Sequence, residues 1–199
     1  ADPSHPFRTG GYMSFEGGPT RGLVVENDKL YIADEWGVKI YSVEDPTIPV
    51  LLKQETLMID EYGYNDCTAD IAVRNGIAYL AFAKRGIEIY DLTDVNDIRL
   101  IGSCTEGCGG ATNIQCVSDL AYVKLSSDTV ILDIRDIMHP VRVALVEGTS
   151  STQFNYRVAA DGALVLLPMD DDGVWILDVS NPAEPVVAGL VNTPGIPVN

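Results

Sequence analysis

The chain has 199 residues, 46% of them hydrophobic and 21% charged, an ordinary balance for a folded protein and one that excludes a disordered chain. Thirteen basic residues face 29 acidic ones, and the formal net charge of -16 excludes a nucleic-acid partner, because such a surface repels phosphates. No run approaches the roughly 18 apolar residues needed to span a bilayer, so no membrane insertion is expected.

The chain opens on Ala1-Asp2-Pro3, compatible with an end left by signal cleavage and equally with one left by cloning. Asp2-Pro3-Ser4-His5-Pro6 resembles two later proline turns, Asp45-Pro46-Thr47-Ile48-Pro49 and Asn181-Pro182-Ala183-Glu184-Pro185. Each of those leads into the last strand of a repeat, so residues 7–15 read as an outer strand without its first three companions. Phe7, Tyr12 and Phe15 are its apolar anchors. Such a strand can close its own ring, belong to a longer propeller, or add to the sheet edge of a neighbouring molecule. Repeated head to tail, the last contact builds a filament.

From residue 22 onward one pattern returns four times. Ser42, Asp91, Asp133 and Asp178 occupy one equivalent position, at separations of 49, 42 and 45 residues, the range of a propeller blade. Each copy begins with a short apolar strand (residues 23–25, 71–73, 114–117 and 156–159). It then turns at Asn27-Asp28, Asn75-Gly76, Ser118-Asp119 or Asp161-Gly162, residues that tolerate positive φ. A second strand follows (LYIA, AYLA, AYVK, ALVL), then an alternating third such as Gly86-Ile87-Glu88-Ile89-Tyr90, a proline-bearing turn and a fourth strand. β-Branched and aromatic residues dominate, with Pro or Gly every ten or so positions, so no long helix is expected.

Four-stranded units in tandem bury their faces on one another, and radial packing also protects their edges. The expected fold is all-β: a small β-propeller of about four four-stranded blades, with an extra N-terminal outer strand. It forms one domain over residues 1–199, divided into strand and linker (1–21) and repeats at 22–69, 70–112, 113–154 and 155–199. A β-sandwich or open solenoid is the competing architecture.

The segments GIEIYDLTDVNDI, TVILDIRDIMHPV and GVWILDVSNPAEPV resemble the LVIVD repeat. That resemblance implies a β-propeller and an exported or cell-surface protein, and carries over no catalytic residue. Copy one departs from it at Ser42, and copy three has Thr129 where the other copies have a turn glycine.

Cys67, Cys104, Cys108 and Cys116 cluster in the second quarter, an even set that points to two disulfides and an oxidising compartment. The pairing expected is Cys104 with Cys108 and Cys67 with Cys116, although spacing alone leaves all three connectivities open. A metal site is the competing reading of these cysteines.

Asp170, Asp171 and Asp172, in the turn before Gly173, are candidate calcium ligands, although Pro168 stands where a D-x-[DN]-x-[DN]-G loop has its first carboxylate. No other cofactor is implied. Asp91, Asp133 and Asp178 read either as a ring of acids or, more simply, as caps on local backbone amides. Tyr31, Tyr79 and Tyr122 recur at one strand position and suit packing between repeats, as do Trp36 and Trp175. Two histidines in separate repeats and the absence of G-x-S-x-G argue against an enzyme.

The expected function is a non-catalytic extracellular or cell-surface scaffold acting through protein contacts, with copies of itself as a homo-oligomer or filament or with another cell-surface protein. The alternatives are a ligand- or calcium-binding propeller and, behind it, a glycosidase-like enzyme.

Overall fold

A computed structural model describes residues 18–57, 66–149, 157–169 and 173–193. The expected N-terminal strand with Phe7, Tyr12 and Phe15, and the calcium candidates Asp170, Asp171 and Asp172, lie outside the described residues. Those that are described form sixteen β-strands and no helix.

Four antiparallel sheets of four strands follow one another in chain order. Blade 1 holds β1 (Thr20–Glu26), β2 (Lys29–Asp34), β3 (Gly37–Ser42) and β4 (Val50–Thr56). Blade 2 holds β5 (Thr68–Arg74), β6 (Ile77–Phe82), β7 (Gly86–Asp91) and β8 (Arg99–Cys104). Blade 3 holds β9 (Ala111–Val117), β10 (Leu120–Leu125), β11 (Thr129–Asp133) and β12 (Val141–Val146). Blade 4 holds β13 (Ala159–Asp161), β14 (Leu164–Met169), β15 (Gly173–Asp178) and β16 (Val186–Val191). The protein is an all-β propeller of four four-stranded blades.

The inner strands β1 and β5 start two residues before the sequence similarity between repeats begins. A bulge between Thr20 and Gly22, and again between Thr68 and Asp70, breaks the period-two pattern there. In blade 4 the inner strand is short, Ala159–Asp161, and lies later than the apolar run over 156–159 suggests.

The first hairpins of blades 1 to 3 turn where expected, whereas in blade 4 Asp161 still pairs with Leu164 and the turn falls one residue later than expected, at Gly162 and Ala163. Asn27 and Asn75 have φ of 49° and 52°, with Asp28 at 57° and Gly76 at 75°, the two-residue turn whose twist matches its strands. The glycines opening β7 and β15 have φ of +88° and +84°. A Cβ there would meet the outer-strand carbonyl of Cys104 at 2.4 Å or of Val191 at 2.2 Å. Blade 3 manages with Thr129 because its backbone avoids positive φ and Lys124 fills the turn, donating to the carbonyls of Leu125 (3.0 Å) and Thr149.

Among the described residues the core forms three separate apolar layers, each between blades consecutive in sequence. Between blades 1 and 2 lie Tyr31, Ile40, Ile71, Leu80 and Phe82. Between blades 2 and 3 lie Tyr79, Ile89, Ile114, Val123 and Leu132, and between blades 3 and 4 Tyr122, Ile131, Val158, Leu167 and Leu177. The three recurring tyrosines thus perform one packing job, each on the face its blade turns toward the next.

Candidate functional site

The inner strands of all four blades surround a cavity of about 350 Å³, whose lining includes Arg74, Asn113, Gln115, Cys116 and Arg157. One position in the repeat controls its middle. It is Gly22 in β1, Asp70 in β5, Asn113 in β9 and Arg157 just before β13.

At this position a side chain reaches forward to the backbone of the next blade. Asp70 Oδ2 accepts from the Ile114 N–H at 3.2 Å, and Asn113 Oδ1 from the Val158 N–H at 2.8 Å. Asn113 Nδ2 donates to Asp70 Oδ2 as well. Glycine is required at 22, since a Cβ would come within 2.1 Å of Asp70 Oδ1. Arg157 has donors only, so it works differently: Nη2 lies 3.3 Å from the Arg21 carbonyl and 3.4 Å from Asp70 Oδ1. Burial pushes the Asp70 carboxyl above its usual range, against the pull of Arg157 and three hydrogen bonds.

A second set of links ties the hairpin ends of neighbouring blades. Glu26 accepts from the N–H groups of Asn75 (2.7 Å) and Gly76 (2.9 Å), and Arg74 donates to the Ser118 carbonyl. Gln115 brackets Ala160 through both its amide atoms.

Buried charges sit where the second strand turns into the third. Asp34 accepts from the amides of Trp36 (2.8 Å) and Gly37 (3.0 Å) and pairs with Lys39 at 2.7 Å. In blade 2 that task falls to Asp66, which receives the amides of Lys84 and Arg85. The Arg85 guanidinium lies over the Phe82 ring and reaches Glu88, which in turn accepts from Tyr90 Oη at 2.7 Å. Each of these groups is occupied by local partners, which is the chemistry of a closed turn.

The recurring aspartates cap their own turns. Asp91, Asp133 and Asp178 accept the amides of Thr93, Arg135 and Ser180 at 2.8–3.0 Å, and Ser42 does the same for Glu44 at 3.5 Å. A second turn comes at once, with Asp45, Asp94, Asp136 and Asn181 accepting from the residue two positions on. Side-chain hydrogen bonds from Thr93, Arg135 and Ser180, and after them the backbone amides of the same residues, hold the carboxyls of Asp91, Asp133 and Asp178 below their usual range.

Cys104 and Cys108 are joined in a disulfide. The expected partnership of Cys67 with Cys116 is a correction: both are free. They lie near opposite ends of adjacent inner strands, Cys67 three residues before Asp70 and Cys116 three after Asn113. That offset is about 20 Å at the rise of a β-strand, far beyond disulfide reach. Burial pushes the Cys116 thiol up to about 12, which disfavours the thiolate near neutral pH. Among the described residues no three His, Cys, Asp or Glu side chains converge to hold a metal ion.

Sequence reading missed the Gly22, Asp70, Asn113 and Arg157 ring, because four unlike residues at one position look like noise until the strands are brought round a common axis. Its one signal was Asp70 and Asn113 standing immediately before the apolar run of their copies.

Residues 168–193, which contain the third strand, Asx turns and outer strand of blade 4, match the family model of the LVIVD repeat. The chain carries an LVIVD repeat. No curated protein matches it. Solved structures resemble it in fold. The computationally designed Ika8 protein superposes with a TM-score of 0.60 at 9% identity, over 83% of this chain and 47% of its own. The designed Ika4 protein does so with 0.60 at 8%, over 85% and 96%. Apo AztD from Citrobacter koseri gives 0.58 at 15%, over 90% and 48%. The LVIVD-repeat chain therefore spans about half the length of Ika8 and AztD, and almost all of Ika4. Among the described residues, no helix is long and apolar enough to cross a membrane.

Proposed function

We propose that this chain is an exported, non-catalytic scaffold that works through protein contacts and assembles with copies of itself by strand addition. The observation that carries the reading is the outer edge of blade 4. Natural sheets protect edge strands with charge. Three of the four outer strands follow that rule: β4 carries Lys53 and Glu55, β8 begins with Arg99 and β12 contains Arg142. The last, β16, reads VVAGLV, without a single charge and with Val186, Val187, Leu190 and Val191 exposed. Beyond β15 it has no strand partner among the described residues.

The donor in this reading is the segment 7–15 of a neighbouring copy, whose sequence is that expected of an outer strand, with Phe7, Tyr12 and Phe15 as its apolar residues. Export fits the disulfide between Cys104 and Cys108 and the habit of LVIVD-repeat proteins.

Light scattering with electron microscopy on the intact chain and on one lacking residues 1–18 tests this. Oligomers or fibres that vanish on truncation support strand addition, whereas a monomeric intact chain removes it. A second reading rests on the channel, whose Asn113, Gln115 and Arg157 offer both donors and acceptors to a small polar ligand. Thermal stabilisation by such a ligand, or by calcium at Asp170, Asp171 and Asp172, would favour it; turnover of a glycoside would favour an enzyme.

A further inference from the structure

The propeller repeats one contact three times: the face that a blade turns forward receives the inner and second strands of the next blade in sequence. Ile71 and Val73 of blade 2 are buried in this way, 4% and 8% exposed, as are Ile114 of blade 3 and Val158 of blade 4. Their counterparts in blade 1 are Leu23 and Val25, and these stand 59% and 60% exposed. The forward faces show the same contrast. Tyr31, Tyr79 and Tyr122 are buried in blades 1 to 3, while Leu166 at that position in blade 4 is 39% exposed and Leu164 stands open beside it.

No apolar layer joins blade 4 to blade 1 among the described residues. Among the described residues, the Arg157 guanidinium, a half-exposed group, reaches across the seam to the Arg21 carbonyl at 3.3 Å. Among the described residues, both halves of this interface are thus left without an apolar partner: a forward face on blade 4 and a receiving face on blade 1. Apolar surface of this kind, at positions buried in every other blade, marks a contact site.

We infer that the seam is the docking site for a second copy of this chain, the forward face of blade 4 in one copy packing on the receiving face of blade 1 in the other. Two such contacts close a ring of eight blades. The occupant is argued from continuity, since the contact is the one the chain already makes three times. It is argued also from length: four blades of this shape superpose on half of Ika8 and half of AztD, so two copies supply a complete set of that size. A head-to-tail contact closes when the rotation per blade allows it. The inference rests on the reading that the chain associates with itself, but it assigns the contact to blade faces and not to the edge of β16.

The test is the mass of the full chain by analytical ultracentrifugation across a hundredfold concentration range, together with three variants. The intact chain is expected to sediment as two chains and L23D/V25D as one, with unchanged circular dichroism because both side chains are already exposed. The milder L23Q/V25T, which removes the apolar match without adding charge, is expected to weaken the pair at least tenfold. V187K/L190K, which blocks the β16 edge, is expected to leave it intact. Chains carrying L23C and L166C separately, mixed and oxidised, should cross-link to one another. A pair that survives L23D/V25D but is lost in V187K/L190K overturns the seam and leaves strand addition standing. An intact chain that stays single overturns both. A chain carrying L23C and L166C together that cross-links within itself overturns the second copy, because the ring then closes on its own four blades.

Discussion

The interface between blades 2 and 3 and the seam between blades 4 and 1 are built from the same repeat, yet only one of them is packed. At the former, Ile89, Ile114, Val123 and Leu132 lose essentially all contact with water, and Asp70 satisfies the amide and side chain of the facing strand. At the latter, Leu23, Val25 and Leu166 remain exposed and a donor-only guanidinium replaces the acceptor. A repeat thus specifies a face, while the burial of that face depends on which blade is set against it. Equivalent positions can hold equally apolar residues and contribute to the fold in one blade and to association in another.

Side-chain truncation separates the two regions most strongly. Leu132→Ala, in the packed layer, should lower unfolding free energy by about 2–5 kcal/mol in urea titrations, since it leaves a cavity. Leu23→Ala at the seam should stay within about 0.5 kcal/mol under dilute conditions. Equal losses would mean that the seam is as packed as the interior.

A smaller effect is expected from Gly86→Ala, about 1–3 kcal/mol, because the residue has φ of +88° and its new Cβ would press on the Cys104 carbonyl. The equivalent position in blade 3 is already Thr129, so Thr129→Gly should bring no gain. Smaller again is Tyr122→Phe. The Tyr122 hydroxyl is buried without a hydrogen-bond partner among the described residues, and its removal should raise stability by about 1 kcal/mol or less in thermal melts.

The last expected effect is a pH dependence of opposite signs in the two places. Asp91, Asp133 and Asp178 have carboxyls held low by their turns, so their contribution is present above the unfolded value of about 3.9. It is lost as pH falls through the folded values. Asp70 is raised by burial, so its penalty is complete above its folded value and lifts as pH falls through it toward the unfolded one. Acid titration of Asp70→Asn should therefore show a steeper loss of stability than the parent chain. A shallower loss would mean that hydrogen bonding outweighs burial at Asp70.

Much of this architecture was legible in the sequence because it depends on local chemistry. Asn-Asp and Asn-Gly at the hairpins, glycine before the third strand and aspartate at its end each fix a turn through bonds spanning two or three residues. The propeller followed from their recurrence. The site was less legible, since Arg157, Asp70 and Gly22 meet only after the chain has run round the axis, and nothing local links an arginine to an aspartate 87 residues away. The Cys67–Cys116 pairing failed for the same reason: closeness in sequence region says nothing about which end of a strand a cysteine occupies. Burial of Ile71 against exposure of Leu23 was likewise out of reach, because the two residues are chemical equivalents in the repeat.

The ring of Gly22, Asp70, Asn113 and Arg157 also bears on how such a protein can change over generations. Outer turns and hairpins are interchangeable parts, and a duplicated blade would bring its own. The central position is not interchangeable, because an acceptor must face an amide, a glycine must yield space and an arginine must reach across. It works as an address written once per blade, fixing the order in which otherwise similar modules are read. A blade copied or shuffled without its address would fold as a sheet and still be out of place, so new blade numbers must arise together with new central residues.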